Sequence, residues 1–337
     1  MFNLQFTRLN HLLKGFLSTF AVFFLTFALN SFHYTQSNAK ALNPPTNPAD
    51  IQKDGVPHPF FWDIVGPNGS KSHLMGTMHI PDPRWVKLPK GLLHDLDHAD
   101  EVHGELDLSE KQALNGKLMQ KAMLKDGKTL QGVLGDRLYN KLDKYLKTKG
   151  QSAFYMNRMH PKMAEMTLGL LDVMPLLMSG KPVLDEWLLQ RAKKAGKVVG
   201  GVETVEEQLA ALFSGTLEEA KKSMEFTIDL LIKKEQAGIK PFDALVDAYF
   251  SGREDRIGSV IEDELKGAPE AQVKAMEKLL TVRNRVMAKR VVKLLKANPQ
   301  KKFVFAFGVA HFIGEEGVVN LIKKEGFTVL RRYAPHK

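Results

Sequence analysis

The 337-residue chain contains no cysteine, which excludes a disulfide scaffold and any zinc module built on thiolates. It also lacks a His-Glu-x-x-His helix and a Gly-x-Ser-x-Gly turn, so neither a common zincin nor a serine nucleophile elbow is present. Gly69-Ser70-Lys71-Ser72 resembles a phosphate loop, but it lacks the Gly-Lys-Ser/Thr order and joins two predicted strands instead of opening a helix. After residue 41 no hydrophobic run is long enough to span a bilayer. With 44% hydrophobic and 26% charged residues, the composition is that of a folded chain, one large domain or two small ones, and excludes a disordered or collagen-like one.

Acidic residues are absent from positions 1–41, which carry Arg8, Lys14 and Lys40 around an apolar run from Gly15 to Leu29. That length suits the hydrophobic region of a signal peptide and is short for a membrane span. Ala39-Lys40-Ala41 supplies a small-x-small cleavage pattern, and the Pro-rich stretch Asn43-Pro44-Pro45-Thr46-Asn47-Pro48 reads as an extended linker. The expected division is an export segment or N-terminal membrane anchor at 1–41, a linker at 42–57 and a domain at 58–335. The domain is then exported, periplasmic or extracellular, with an uncleaved segment as a membrane tether. The formal net charge of +10 is concentrated, because residues 274–302 alone hold ten Lys/Arg against Glu277. The rest of the exported chain is close to neutral, so the charge describes one local surface and not a nucleic-acid-binding protein.

Residues 60–65 and 72–80 read as strands joined by a Pro67-Asn68-Gly69-Ser70 turn, and Glu101 to Leu108 as a third strand. Residues 109–194 are helical, with a methionine stripe (Met156, Met159, Met163, Met166, Met174, Met178) of the kind used in cores. Lys197 to Glu203 is a buried strand and 205–213 a helix. Residues 217–297 are helical with a break at 238–241. The chain then finishes strand–helix–strand over 303–308, 317–325 and 327–333. Strands at both ends around a helical middle predict an α/β (α+β) fold, with one mixed central sheet built from both ends of the chain and a large helical insertion.

One small pattern occurs twice as the chain leaves a predicted strand: Gly76-Thr77-Met78-His79 and Gly308-Val309-Ala310-His311. Histidines at strand ends stand where α/β proteins build their sites. Glu203 follows another strand, outside the capping box Thr204-Val205-Glu206-Glu207, and has no capping role of its own. Glu105 alternates with Glu101, His103 and Asp107, a face that is either solvated or turned along the sheet edge into the site. On the predicted helix 274–297, Arg283 and Asn284 fall at the edges of the Met276/Leu280/Met287/Val291/Leu294 stripe, away from the cations Lys278, Arg285, Lys289, Lys293 and Lys296. Two histidines with one or two glutamates suit Mn, Co or Zn with open coordination positions.

The paired Gly-x-x-His motifs, Val199-Gly200-Gly201-Val202-Glu203-Thr204 with Glu207-Gln208, Arg283-Asn284 with Met287, and Phe305 to Gly317 together resemble the TraB/GumN (PrgY-like) family. That family includes the Tiki metalloproteases and is distantly related to erythromycin-esterase-like and haem-binding ChaN-like proteins. The resemblance spans about residues 58–333. It implies a metal-dependent peptidase in which His79 and His311 match the paired histidines, Glu105 and Glu203 the carboxylates, and Arg283 and Asn284 the polar pair. The expected assignment is His79, Glu203 and His311 on a divalent metal, Glu105 as general base, and Arg283 with Asn284 at the oxyanion or substrate. The alternative is a non-catalytic binding or inhibitory protein that sequesters a peptide or haem-like ligand.

Overall fold

The computed structural model describes residues 60–332, apart from 67–68, 83–87, 182 and 241. The expected export segment, the linker and part of the 67–70 turn lie outside the described residues. Six strands form one sheet: β1 (Phe61–Val65), β2 (Lys71–Thr77), β3 (Glu101–Gly104), β4 (Val198–Gly201), β5 (Phe303–Gly308) and β6 (Thr328–Arg331). Their spatial order is β4-β3-β5-β2-β1-β6. β4, β3, β5 and β2 run parallel, whereas β1 is antiparallel to both β2 and β6. The sheet is therefore mixed and draws its strands from both ends of the chain, as the apolar pattern predicts. β5, Phe-Val-Phe-Ala-Phe-Gly, is buried at every position, as expected for a central parallel strand covered on both faces.

Helices of seven residues or more among the described residues are α1 (Lys90–Asp97), α2 (Lys111–Ala122), α3 (Asp136–Thr148), α4 (Pro161–Leu170), α5 (Leu184–Lys194), α6 (Val205–Leu212), α7 (Leu217–Gln236), α8 (Asp243–Ser251), α9 (Glu254–Leu265), α10 (Glu270–Glu277), α11 (Arg283–Ala297) and α12 (Val318–Lys324). The main core lies on the sheet. A second apolar cluster, including Leu138, Leu142, Leu168, Met224 and Ile228, holds α3, α4 and α7 together within the insertion. Met156, Met163 and Met166 are buried as the stripe predicts, while Met178 is 65% exposed and departs from it. Among the described residues no helix is long and apolar enough to cross a membrane.

Two departures from the sequence pattern shape the site. β3 ends at Gly104, not at Leu108, because the chain turns there across the end of β4; a Cβ on Gly201 would overlap the backbone of Leu106 and Asp107. The predicted single helix 274–297 is interrupted by a π-turn at Lys278–Val282 before α11. The wider turn changes which residues face inward, and Arg283 and Asn284 are both buried immediately after it.

Candidate active site

Four parallel strands deliver four polar side chains to one edge. Register places Thr77 beside Gly308 and Gly104 beside Gly201, so the carboxyl ends of β2, β5, β3 and β4 lie in line. His79 follows β2, Glu105 follows β3, Glu203 follows β4, and His311 sits in a 3-10 turn, Val309–Phe312, after β5. Backbone bonds prolong the β3–β4 pairing past the strands: Val202 N–H donates to Gly104 O at 3.1 Å and Glu203 N–H to Glu105 O at 2.8 Å. The two carboxylates are thereby held side by side. All of these side chains are buried, with Glu105 the most exposed at 8%.

Arg283 enters from α11 and occupies the middle of the group. Its Nε donates to both oxygens of Glu203 at 2.9 and 3.1 Å, and its Nη2 donates to Glu105 Oε2 at 2.9 Å and also to Glu203 Oε2. Its Nη1 donates to Leu279 O, in the π-turn, at 3.1 Å and lies 3.3 Å from His311 Nε2. One guanidinium thus serves two buried carboxylates in the fork geometry that a lysine could not reproduce.

The two imidazoles are held differently. His311 Nδ1 lies 2.6 Å from Asn284 Oδ1, and Asn284 Nδ2 donates to Glu316 O at 2.9 Å. The amide oxygen can only accept, so His311 carries its proton on Nδ1 and presents a lone pair at Nε2. His79 Nδ1 instead faces the carboxylate of Asp185, near the start of α5. Both Nε2 atoms turn toward one carboxylate oxygen: Glu105 Oε1 is 3.9 Å from His79 Nε2 and 3.8 Å from His311 Nε2. The same oxygen accepts Gly308 N–H at 2.8 Å.

Titration follows this asymmetry. Burial and the neighbouring Arg283 hold His311 down to about 3. Burial acts downward on His79 as well, but Asp185 and Glu105 outweigh it, so that its pKa is raised. Burial pushes Glu105 upward, yet His311, Arg283, His79 and the Gly308 amide bring it below the ordinary carboxylate value. For Glu203 burial outweighs Arg283 and the pKa is raised. The environment therefore biases one imidazole toward its neutral form, the other toward protonation, and Glu105 toward its ionised form.

A sequence model of the TraB/PrgY/gumN family matches residues 60–331. The chain belongs to that family. It is 27% identical to Metalloprotease TIKI2 of Danio rerio, an alignment covering 90% of this chain and 65% of the relative. Identity is 28% with Metalloprotease TIKI2 of Xenopus tropicalis, covering 84% of this chain and 62% of the relative. It is also 28% with Metalloprotease TIKI1 of Homo sapiens, covering 80% and 61%. The chain thus spans less than two thirds of the length of these relatives. No solved structure matches the chain.

In this TraB/PrgY/gumN member all six residues expected at the site come together, and two of them have partners that alter their part. Glu105, not Glu203, stands between the imidazoles, while Glu203 is engaged by Arg283. Asn284 is spent on His311 and on Glu316 O. Asp185 escaped the sequence reading, and Gln208, quoted there only as part of a motif, was given no place at the site. Asp185 passes for an ordinary acid in a helix first turn, yet Asp185, Leu188, Leu189 and Ala192 share the buried face of α5; that periodicity is the signal that marks it. Gln208, at 3.5 Å from Glu203 Oε2, lies one turn into α6. A metal is implied by the names of the relatives. Among the described residues no group of three or more His, Asp or Glu side chains stands ready to hold an ion. The donors nevertheless fit one: buried His79 Nε2 has no hydrogen-bond partner, and two imidazoles plus a carboxylate suit a borderline-to-hard divalent cation.

Proposed function

We propose that the chain is an exported, metal-dependent hydrolase that cleaves peptide bonds in peptides or proteins. The observation that carries this reading is the convergence of His79 Nε2, His311 Nε2 and Glu105 Oε1, at 3.8 to 3.9 Å, within a buried cluster of charged side chains. His79, His311 and a glutamate would hold Mn, Co or Zn; geometry favours Glu105 for that place over the expected Glu203. A bound divalent ion supplies Lewis acidity and a water acidic enough to attack near neutral pH.

The chain's own groups complete the chemistry. Glu203 is the remaining carboxylate, and it can take a proton from the attacking water and return it to the leaving amine once Arg283 releases one of its oxygens. Arg283 balances the carboxylates in the ground state, and its Nη1, shared between Leu279 O and His311 Nε2, can turn to charge developing on the substrate oxygen. Asn284 and Asp185 fix the rings of His311 and His79. The runner-up, a non-catalytic peptide- or haem-binding protein, draws on the burial of the centre and on Arg283 already hydrogen-bonded to both carboxylates.

Elemental analysis combined with peptide-library cleavage, on the wild type and His311→Ala, tests the proposal. Bound metal and cleavage in the wild type, both lost in the variant, support hydrolysis. Retained ligand affinity without metal or cleavage favours the binding protein.

A further inference from the structure

A cavity adjoins the centre without belonging to it. α9 and α10 are joined by a turn at Gly267, whose φ of 79° lies in the left-handed region. Met276 of α10 packs on Ala310, next to His311, within a small satellite cluster that also draws on Ile261, Leu265 and Leu280. Beside this cluster is a cavity of about 60 Å³. One wall includes Gln272 and Met276 of α10 and Leu279 of the π-turn, and its floor includes Lys162 and Glu165 of α4 and Ser223 of α7. Leu279 belongs to both places, since its carbonyl accepts from Arg283 Nη1.

The floor is polar, with Ser223 and Thr227 buried and Lys162 and Glu165 partly so. Ser223 and Thr227 hydroxyls both donate to Glu165 Oε1 at 2.8 Å. Lys162 Nζ donates to Glu165 Oε2 at 3.2 Å and to Ser223 Oγ at 3.0 Å. Glu165 is satisfied by these bonds, and they use two of the three ammonium hydrogens of Lys162. Across the cavity, Gln272 Oε1 is a buried acceptor with no partner, an arrangement that is costly unless a donor reaches it. The cavity therefore faces its occupant with one unpartnered acceptor and one N–H donor, beside the Glu264 carboxylate. A carboxylate occupant would meet the Gln272 oxygen and Glu264, and an ammonium would meet Lys162, so neither suits it. A group bearing both N–H and C=O does. At roughly 15 Å³ per water-sized group the space holds about four, the number of heavy atoms in a methylene-carboxamide.

Resting on the peptidase reading of the neighbouring centre, we propose that this cavity is a substrate subsite for the side-chain carboxamide of Asn or Gln. The amide N–H donates to Gln272 Oε1 and the amide oxygen accepts from Lys162 Nζ. The absence of cysteine allows a single reporter thiol. In Met276→Cys, or Ala275→Cys if the former folds poorly, the rate of thiol labelling reads occupancy of the cavity without requiring activity. N-acetyl-asparagine methylamide at twice its Kd should slow labelling about threefold, the leucine analogue should not, and adding Gln272→Leu should abolish the protection. Equal labelling with and without the asparagine probe, or equal protection by leucine, overturns the subsite and leaves a cavity for water. In a cleavage assay Gln272→Leu should lower kcat/KM about tenfold, or 1.4 kcal/mol, for Asn- or Gln-containing peptides relative to alanine versions. Protection without cleavage of any peptide would defeat the hydrolase reading while the subsite stands; cleavage without protection would do the reverse.

Discussion

His311 Nδ1 and Asn284 Oδ1 lie 2.6 Å apart, both side chains almost wholly buried. This contact gives the imidazole a fixed tautomer, and it joins the turn after β5 to α11. Asn284→Leu leaves the ring N–H unpartnered in the interior. The expected loss is ~1–3 kcal/mol of stability, read from urea unfolding. Metal affinity or turnover should also fall roughly 10–100-fold. Asn284→Asp should retain the contact and recover part of the stability.

Arg283 stands between two carboxylates that have no other cation within hydrogen-bonding distance among the described residues. Arg283→Met would strand Glu105 and Glu203 in the interior, at a cost of about 3–5 kcal/mol. The double change of Glu203→Gln with Arg283→Met should be less destabilising than the sum of the two single changes, because the second removes a charge that the first leaves exposed to a dry site. Denaturant midpoints of the four proteins measure that coupling directly; strict additivity would show that the pair does not interact.

Asp185 faces His79 from the helical insertion. Asp185→Asn keeps the shape and removes the charge that secures the ring. Titration with Mn or Co should show affinity weakened roughly 10–100-fold, with the far-UV circular dichroism unchanged. Unaltered affinity would mean that His79 needs no partner on its second nitrogen.

Glu207 ties α6 to α11. Two bonds from Arg290, with the Thr204 amide, hold its carboxyl at about 2 against an ordinary 4.5. A depressed folded-state pKa contributes stability that is complete above the unfolded value and is lost as pH falls toward the folded one. Wild type should therefore exceed Glu207→Gln in Tm at pH 6, and the gap should narrow between pH 4.5 and pH 2. A gap independent of pH would assign the effect to packing.

Much of the site was legible because its residues break local rules. His79, Glu203 and His311 are polar groups directly after apolar strands, and Arg283 and Asn284 border an apolar stripe; each is conspicuous without tertiary knowledge. The five cations assigned to the opposite face of that helix are all exposed. Glu105 was ambiguous because its role depends on where β3 stops, and that is set by the crossing at Gly201, a contact between segments nearly a hundred residues apart. The π-turn was invisible for a related reason. It conserves composition and hydrophobic count and changes only the number of residues per turn, which packing decides. Asp185 hid behind the habit of acids in helix first turns.

The strand order has a consequence in time. β2 and β5 are neighbours in the sheet although some 230 residues separate them, and His79 meets His311 only through that pairing. During synthesis the ribosome completes three hundred residues before β5 exists. Until then Arg283 can already pair with Glu203 and Glu105, but His79 has no second imidazole beside it. The two imidazoles are therefore brought together only once β5 has been made and has paired with β2.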